Sequence, residues 1–196
     1  DGMAPLEQQE WVQNALDRLQ LPPDGDKTPR ICILDSGVNR GHPLLAPLMA
    51  SNDLYTVNPA WGVDDTTNHG SGIAGLAVFG DLTDALAANG PLLVAHRLES
   101  VKLTPVQGAN PGDSKLHGYL FAEAVSRPEV SAPARSRVFT SAVTSEDGRD
   151  RGRPSAWSAT VDRLAADYDG DGLFPRLFVL AAGNTNDMMA WGAYPG

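Results

Sequence analysis

Four short, uninterrupted apolar runs constrain the fold of this chain more than any other feature: ICIL at 31–34, PLLVAH at 91–96, RVFTSAV at 137–143 and RLFVLAA at 176–182. A strand with one wetted face alternates apolar and polar residues, whereas a strand covered on both faces has no need to. The runs therefore predict the buried strands of a parallel sheet. Parallel neighbours need long crossovers, and HGSGIAGLAVFG, KLHGYLFAEAV and SAWSATVDRLAADY, lying between the runs, are each long enough to be a crossover helix. The order β, α, β, α, β, α, β predicts an α/β fold, a doubly wound and mostly parallel sheet with helices on both faces. With 196 residues, 42% of them hydrophobic, the chain can build the core such a sheet requires.

Ahead of the first run, Val12, Ala15, Leu16 and Leu19 recur at helical spacing, predicting an amphipathic helix over 6–20, and LPPDGDKTPR reads as a polar connector. Residues 1–29 are thus expected to form an N-terminal helix and connector, and residues 30–196 the α/β unit. RPEVSAPARS and SEDGRDRGRPS read as surface loops, the second charged enough to be mobile. The formal net charge is −9 and the lysines and arginines are scattered, which leaves no electrostatic footprint for nucleic acid. No apolar run has the length of a membrane span, and DGMAPLEQQEWVQ lacks the features of a signal peptide, so secreted and cytoplasmic locations both stay open. The single cysteine, Cys32, lies inside an apolar run and reads as a small buried hydrophobe.

The first run ends in Asp35, within ILDSGVNRGHP. Burying a carboxylate is costly unless it is paired or hydrogen-bonded, so Asp35 is either a loop cap or a working acid. In open α/β sheets, functional groups gather beyond the carboxyl ends of the strands, where Asp35 and Asn184 both fall. HGSGIAG offers Gly70, Gly72 and Gly75 in the spacing of a dinucleotide fingerprint, but the polar, turn-like NPAWGVDDTTN precedes it where that motif needs a strand. The alternative is that the glycines let the helix press closely on the sheet, with His69 in its first turn. The positive end of a helix disfavours an imidazolium, so His69 is expected to be neutral and able to accept a proton. DYDGDG, residues 167–172, opens like a calcium loop, yet Phe178 stands where the loop needs its bidentate glutamate, and a tight acidic turn is the favoured reading. His96 and His117 read as packing or surface residues.

ILDSGVNRGHP, NHGSGIAGL and FVLAAGNTN, in that order, resemble the subtilisin-like serine proteases, the subtilase family, over roughly residues 30–196. The resemblance implies a serine endopeptidase acting on peptide or protein substrates through an Asp-His-Ser triad. It implies that Asp35 orients His69, that His69 is the general base, and that Asn184 donates to the oxyanion. It makes Ser141, Ala142 and Val143 the edge that pairs with substrate backbone, and Ala181, Ala182 and Gly183 a wall of the pocket for the residue before the scissile bond. Val143 stands where the family usually has glycine, so a narrowed pocket mouth is expected, and Ser71 replaces the commoner threonine. The family's nucleophile lies in a Gly-Thr-Ser-x-Ala-type motif after the asparagine, and no such motif occurs here. Ser36, Ser71 and Ser141 are not in nucleophile-like contexts. The chain is therefore expected to be the N-terminal part of a catalytic domain, inactive alone and partnered by a serine-bearing C-terminal segment, with no cofactor beyond the calcium that the family often binds. The rival readings are an inactive subtilase-like module that binds extended peptides and a nucleotide-binding α/β domain.

Overall fold

A strand flanked on both sides by other strands and on both faces by helices has to be apolar along its whole length, and ICIL occupies that position in the computed structural model, which describes residues 4–106, 117–144 and 154–182. The elements in chain order are α1 (Pro5–Arg18), β1 (Leu19–Gln20), β2 (Arg30–Asp35), β3 (Leu54–Thr56), α2 (His69–Phe79), α3 (Leu82–Ala87), β4 (Leu92–Leu93), β5 (Arg97–Lys102), α4 (His117–Ser131), β6 (Arg137–Ser141), α5 (Ala156–Ala165) and β7 (Leu177–Leu180). Five strands form one parallel sheet in the order β3-β5-β2-β6-β7, with β2 at its centre.

Successive side chains of β2 point to opposite faces. Cys32 and Leu34 enter a core completed by Phe121, Ala124 and Val125 of α4, with Trp157, Val161 and Leu164 of α5 packed against it. Ile33 enters a second core with Ala74 of α2, Leu48 and Leu98, which Leu19 and Leu21 also reach. The doubly wound α/β architecture predicted from the alternation is thus the one observed.

Three boundaries differ for physical reasons. PLLVAH does not supply the third main strand: only Leu92 and Leu93 are extended, pairing with β1 in a separate two-stranded sheet. The main strand is RLESVK, and its charges disguise it. Glu99 and Lys102 are fully buried, but Glu99 is paired with Arg135 and Arg137, Arg135 also holds the buried Asp53, and the Lys102 ammonium donates to the Asp64 carbonyl. Each buried charge has a partner, which is the condition for its presence in a core strand. The second difference concerns 127–136, read as a loop. Helix α4 continues through Pro128 to Ser131, and Arg137 donates to the carbonyls of Pro128 and Ala132, covering the end of the helix. The N-terminal helix ends two residues early because Leu19 and Gln20 become β1, while Arg18 ties it to the carbonyls of Ala85 and Gly90. The predicted mobile loop falls largely outside the described residues.

Candidate active site

Asp35 is the last residue of the central strand and is 1% exposed. Its Oδ1 accepts the Ser36 N–H at 2.7 Å and lies 2.7 Å from His69 Nδ1. The carboxylate that ends an apolar run is therefore both hydrogen-bonded and paired. A carboxylate only accepts, so Nδ1 is the nitrogen that donates in this contact, and Nε2 is the ring nitrogen turned away from Asp35. The His69 side chain is 54% exposed while its partner is buried. One edge of the ring is fixed and the rest is open to a reactant, as a general base requires.

Two segments must meet for this contact to form. His69 opens α2, and the first N–H groups of a helix have no partners within it. Asn68, at the N-cap with φ 63°, supplies no side-chain cap. The Gly70 N–H instead donates to Ser36 Oγ at 3.0 Å and the Ser71 N–H to Asp65 Oδ2 at 2.8 Å. Ser36 Oγ in turn donates to Asp65 Oδ1 at 2.8 Å. The turn after Asp35 thus caps the helix that carries His69. Backbone meets backbone here: a Cβ on Gly70 would lie 2.1 Å from the Gly37 carbonyl oxygen. Gly72 and Gly75, expected to press α2 on the sheet, have open space where a side chain would be, so only Gly70 makes a close approach.

Burial acts to raise the Asp65 carboxyl, but hydrogen bonds from Ser71, Thr67 and Ser36 outweigh it and hold the group below its usual 3.8. A carboxyl whose value is lower folded than unfolded stabilises the fold above its unfolded value, and that stabilisation is lost as pH falls through the folded value. We therefore expect wild-type stability to decline as pH falls from about 4, and Asp65→Asn to decline less steeply over that window. Urea titrations at stepped pH provide the check; parallel acid limbs would remove Asp65 from the linkage.

The expected substrate edge and pocket wall adjoin one another. Ser141, Val143, Ala181 and Ala182, with Trp157 and Val161, line a cavity of about 320 Å³. The Ala181 N–H donates to the Ser141 carbonyl at 3.0 Å, so β6 and β7 stay paired up to its rim. Ala142 is half-buried between Ser141 and Val143. Val143, like Trp157, also lines a second cavity of about 160 Å³ with Leu103, His117 and Leu120, so it borders both. Gly183 and Asn184 lie outside the described residues.

The three serines near the pair are all engaged. Ser36 and Ser71 donate to Asp65, and Ser141 donates to the Leu34 carbonyl at 2.9 Å. His117 meets the Trp157 ring edge-on, and burial pushes His96 below its ordinary value. In DYDGDG, Asp167 accepts from Arg176 and from the Phe174 N–H, and Asp169 pairs with Arg163, which makes the segment a turn closed by its own neighbours. Among the described residues no group of three or more His, Cys, Asp or Glu is placed to hold a metal.

The fold is a parallel α/β domain that places a carboxylate–imidazole pair beyond the carboxyl end of its central strand. Residues 26–195 match the Subtilase family of peptidases, Peptidase_S8, and the chain belongs to that family: it is a serine protease-type domain. Searches of curated proteins and of solved structures found no match. Asp65 is not among the residues the sequence expectations name. The available signal was an aspartate followed by threonines and an asparagine just before a helix, the composition of a side-chain-capped turn.

Proposed function

We propose that this chain is the acid–base and substrate-binding part of a serine endopeptidase catalytic domain, and that the nucleophilic serine is carried by a segment outside these residues. The observation that carries the reading is the 2.7 Å contact between the buried Asp35 and the exposed His69 beyond the carboxyl end of the central strand. In this reading His69 Nε2 takes the proton of the serine hydroxyl as its oxygen attacks the scissile carbonyl. Asp35 keeps the ring in the right tautomer and stabilises the imidazolium that forms. The Asn184 amide donates to the tetrahedral oxyanion. His69 then gives its proton to the leaving amine, and water repeats the sequence on the acyl-enzyme. The substrate would extend along Ser141, Ala142 and Val143, with the residue before the cleaved bond against Ala181, Ala182 and Gly183. Val143 favours a short side chain there.

Support for a covering segment comes from exposed apolar surface. Leu76 is 62% exposed on α2, beside a groove of about 480 Å³, and Leu177, Val179 and Leu180 of the edge strand β7 are 45–60% exposed. Surface of this kind marks a missing contact. Among the described residues no helix is long and apolar enough to cross a membrane, and the negative charge gives no reason to invoke nucleic acid.

The engaged serines favour a second reading, a peptide-binding module without activity. A fluorophosphonate probe and a peptide substrate separate the two. The 196-residue chain is expected to show neither labelling nor turnover, and the chain joined to its serine-bearing segment to show both. Labelling of Ser36, Ser71 or Ser141 would overturn the assignment, and silence from the folded, joined form would establish the binding module.

A further inference from the structure

We propose that Asp65 is a positioning residue for the acid–base pair, its carboxylate tying the turn after Asp35 to the first turn of α2 so that the His69 ring is held on Asp35. The inference rests on the reading of Asp35 and His69 as the base pair, and it concerns how the chain keeps them together.

The two oxygens of Asp65 divide the work. Oδ1 accepts Ser36 Oγ at 2.8 Å, the Thr67 N–H at 2.9 Å and the Asn68 N–H at 3.0 Å. Oδ2 accepts both the N–H and the hydroxyl of Ser71, at 2.8 and 2.7 Å. Ser36 adjoins Asp35 and Ser71 lies two residues beyond His69, so one carboxylate grips both sides of the pair. The clamp closes on itself, because Ser36 Oγ accepts the Gly70 N–H and Ser71 Oγ accepts the Asn39 N–H. Bonds to the second and third residues of α2 fix the rotation of the helix about its axis, and that rotation sets where the first residue, His69, directs its ring. The Asn68 N–H bond also holds a left-handed backbone at φ 63°, which a non-glycine residue adopts only at some cost. From the sheet side, the Lys102 ammonium holds the carbonyl of Asp64, and Lys102 stands opposite Asp35 in the β2–β5 register.

All of these partners are donors, and a carboxylate is the one side chain of this size that offers only acceptors. An amide would turn its NH₂ toward N–H and O–H groups on one side. Asp65→Asn therefore tests the clamp with almost no change of shape. Asp64→Asn is the control, since only the backbone carbonyl of Asp64 is used.

The test reads the His69 Nδ1 proton by NMR in the 196-residue chain. Wild type should give a downfield, exchange-protected signal that disappears in Asp35→Asn. In Asp65→Asn, with the cooperative melt retained, that proton should exchange at least about tenfold faster, since a hydrogen bond to a charged group contributes enough to shift an opening equilibrium that far. In the enzyme joined to its serine segment, kcat should fall about tenfold to a hundredfold with KM little changed. Asp64→Asn should leave signal and rate as they are. Should Asp65→Asn fail to fold, Ser36→Ala with Ser71→Ala removes the two hydroxyl bonds, including the tie to the turn after Asp35, while keeping the charge and the backbone N–H bonds, and an acceleration in the same direction is expected. A folded clasp variant with wild-type exchange would overturn the proposal, as would an equal effect from Asp64→Asn. A wild-type chain without the signal overturns the proposal and the functional reading together. A normal signal in a joined enzyme that cleaves nothing strikes only the functional reading.

Discussion

Under the proposed function, replacing His69 by alanine in the chain joined to a serine-bearing segment is expected to lower kcat by about a millionfold, and replacing Asp35 by alanine by about ten-thousandfold, with KM little changed in either case. These are the magnitudes established for the triad of the subtilase family, and the geometry here accounts for their order. In the proposed function His69 takes and returns the proton, and its side chain is 54% exposed, so its loss would remove the transfer itself. Asp35 is buried, and among the described residues its carboxylate accepts from His69 Nδ1 and the Ser36 N–H, so in the proposed function its loss would leave a base of wrong tautomer and orientation rather than none. The double variant should be hardly worse than His69→Ala, because an orienting group has nothing to orient once the ring is gone. Steady-state kinetics on a peptide substrate, with far-UV dichroism to show that the variants fold, provide the check. A His69→Ala enzyme retaining more than about one part in a hundred of its kcat would place the base elsewhere.

What was legible in the sequence was local. Asp35 announced itself because a charge ended an apolar run, and His69 because it opened a glycine-spaced helix; each needs only its immediate neighbours to be noticed. Strand β5 was not legible. Its burial depends on Arg135 and Arg137, far along the chain from Glu99, and no pattern within RLESVK says that its charges have partners. Apolar PLLVAH was the stronger local signal, but it lies beside the short β1 rather than within the main sheet. Asp65 was hidden for the same reason as Glu99. Its turn chemistry is local, but the bond to Ser36 spans 29 positions and exists only once α2 has docked. The three glycines of HGSGIAG also look alike in sequence, yet only Gly70 faces the Gly37 carbonyl. Which face of a helix meets backbone is decided by packing.

Gly70→Ala and Gly72→Ala, two residues apart on one helix, are expected to act in opposite directions. A Cβ at position 70 would lie 2.1 Å from the Gly37 oxygen and 3.2 Å from Ser36 Oγ. Gly37 cannot retreat, because it holds φ +96° with the Val63 carbonyl 2.5 Å from where its own Cβ would stand. Ordinary contact between such atoms needs roughly 3.5 Å, so the start of α2 must move by more than about 1 Å. The cost should be about 1–3 kcal/mol of stability, as for other overpacked sites. The same movement carries His69 away from Asp35, and a displacement of that size costs about a hundredfold in rate. At position 72 the added methyl meets nothing within 4 Å. There the substitution removes only the excess chain entropy of glycine, and the helix should gain about 0.5–1 kcal/mol. Urea unfolding of the two variants of the 196-residue chain reads the stability difference, and the His69 Nδ1 proton reads the geometry. If Gly70→Ala proved as stable as Gly72→Ala and kept its protected proton, the fit between Gly37 and α2 would not be what places the base, and the capping bonds from Ser36 and Asp65 would have to do so alone.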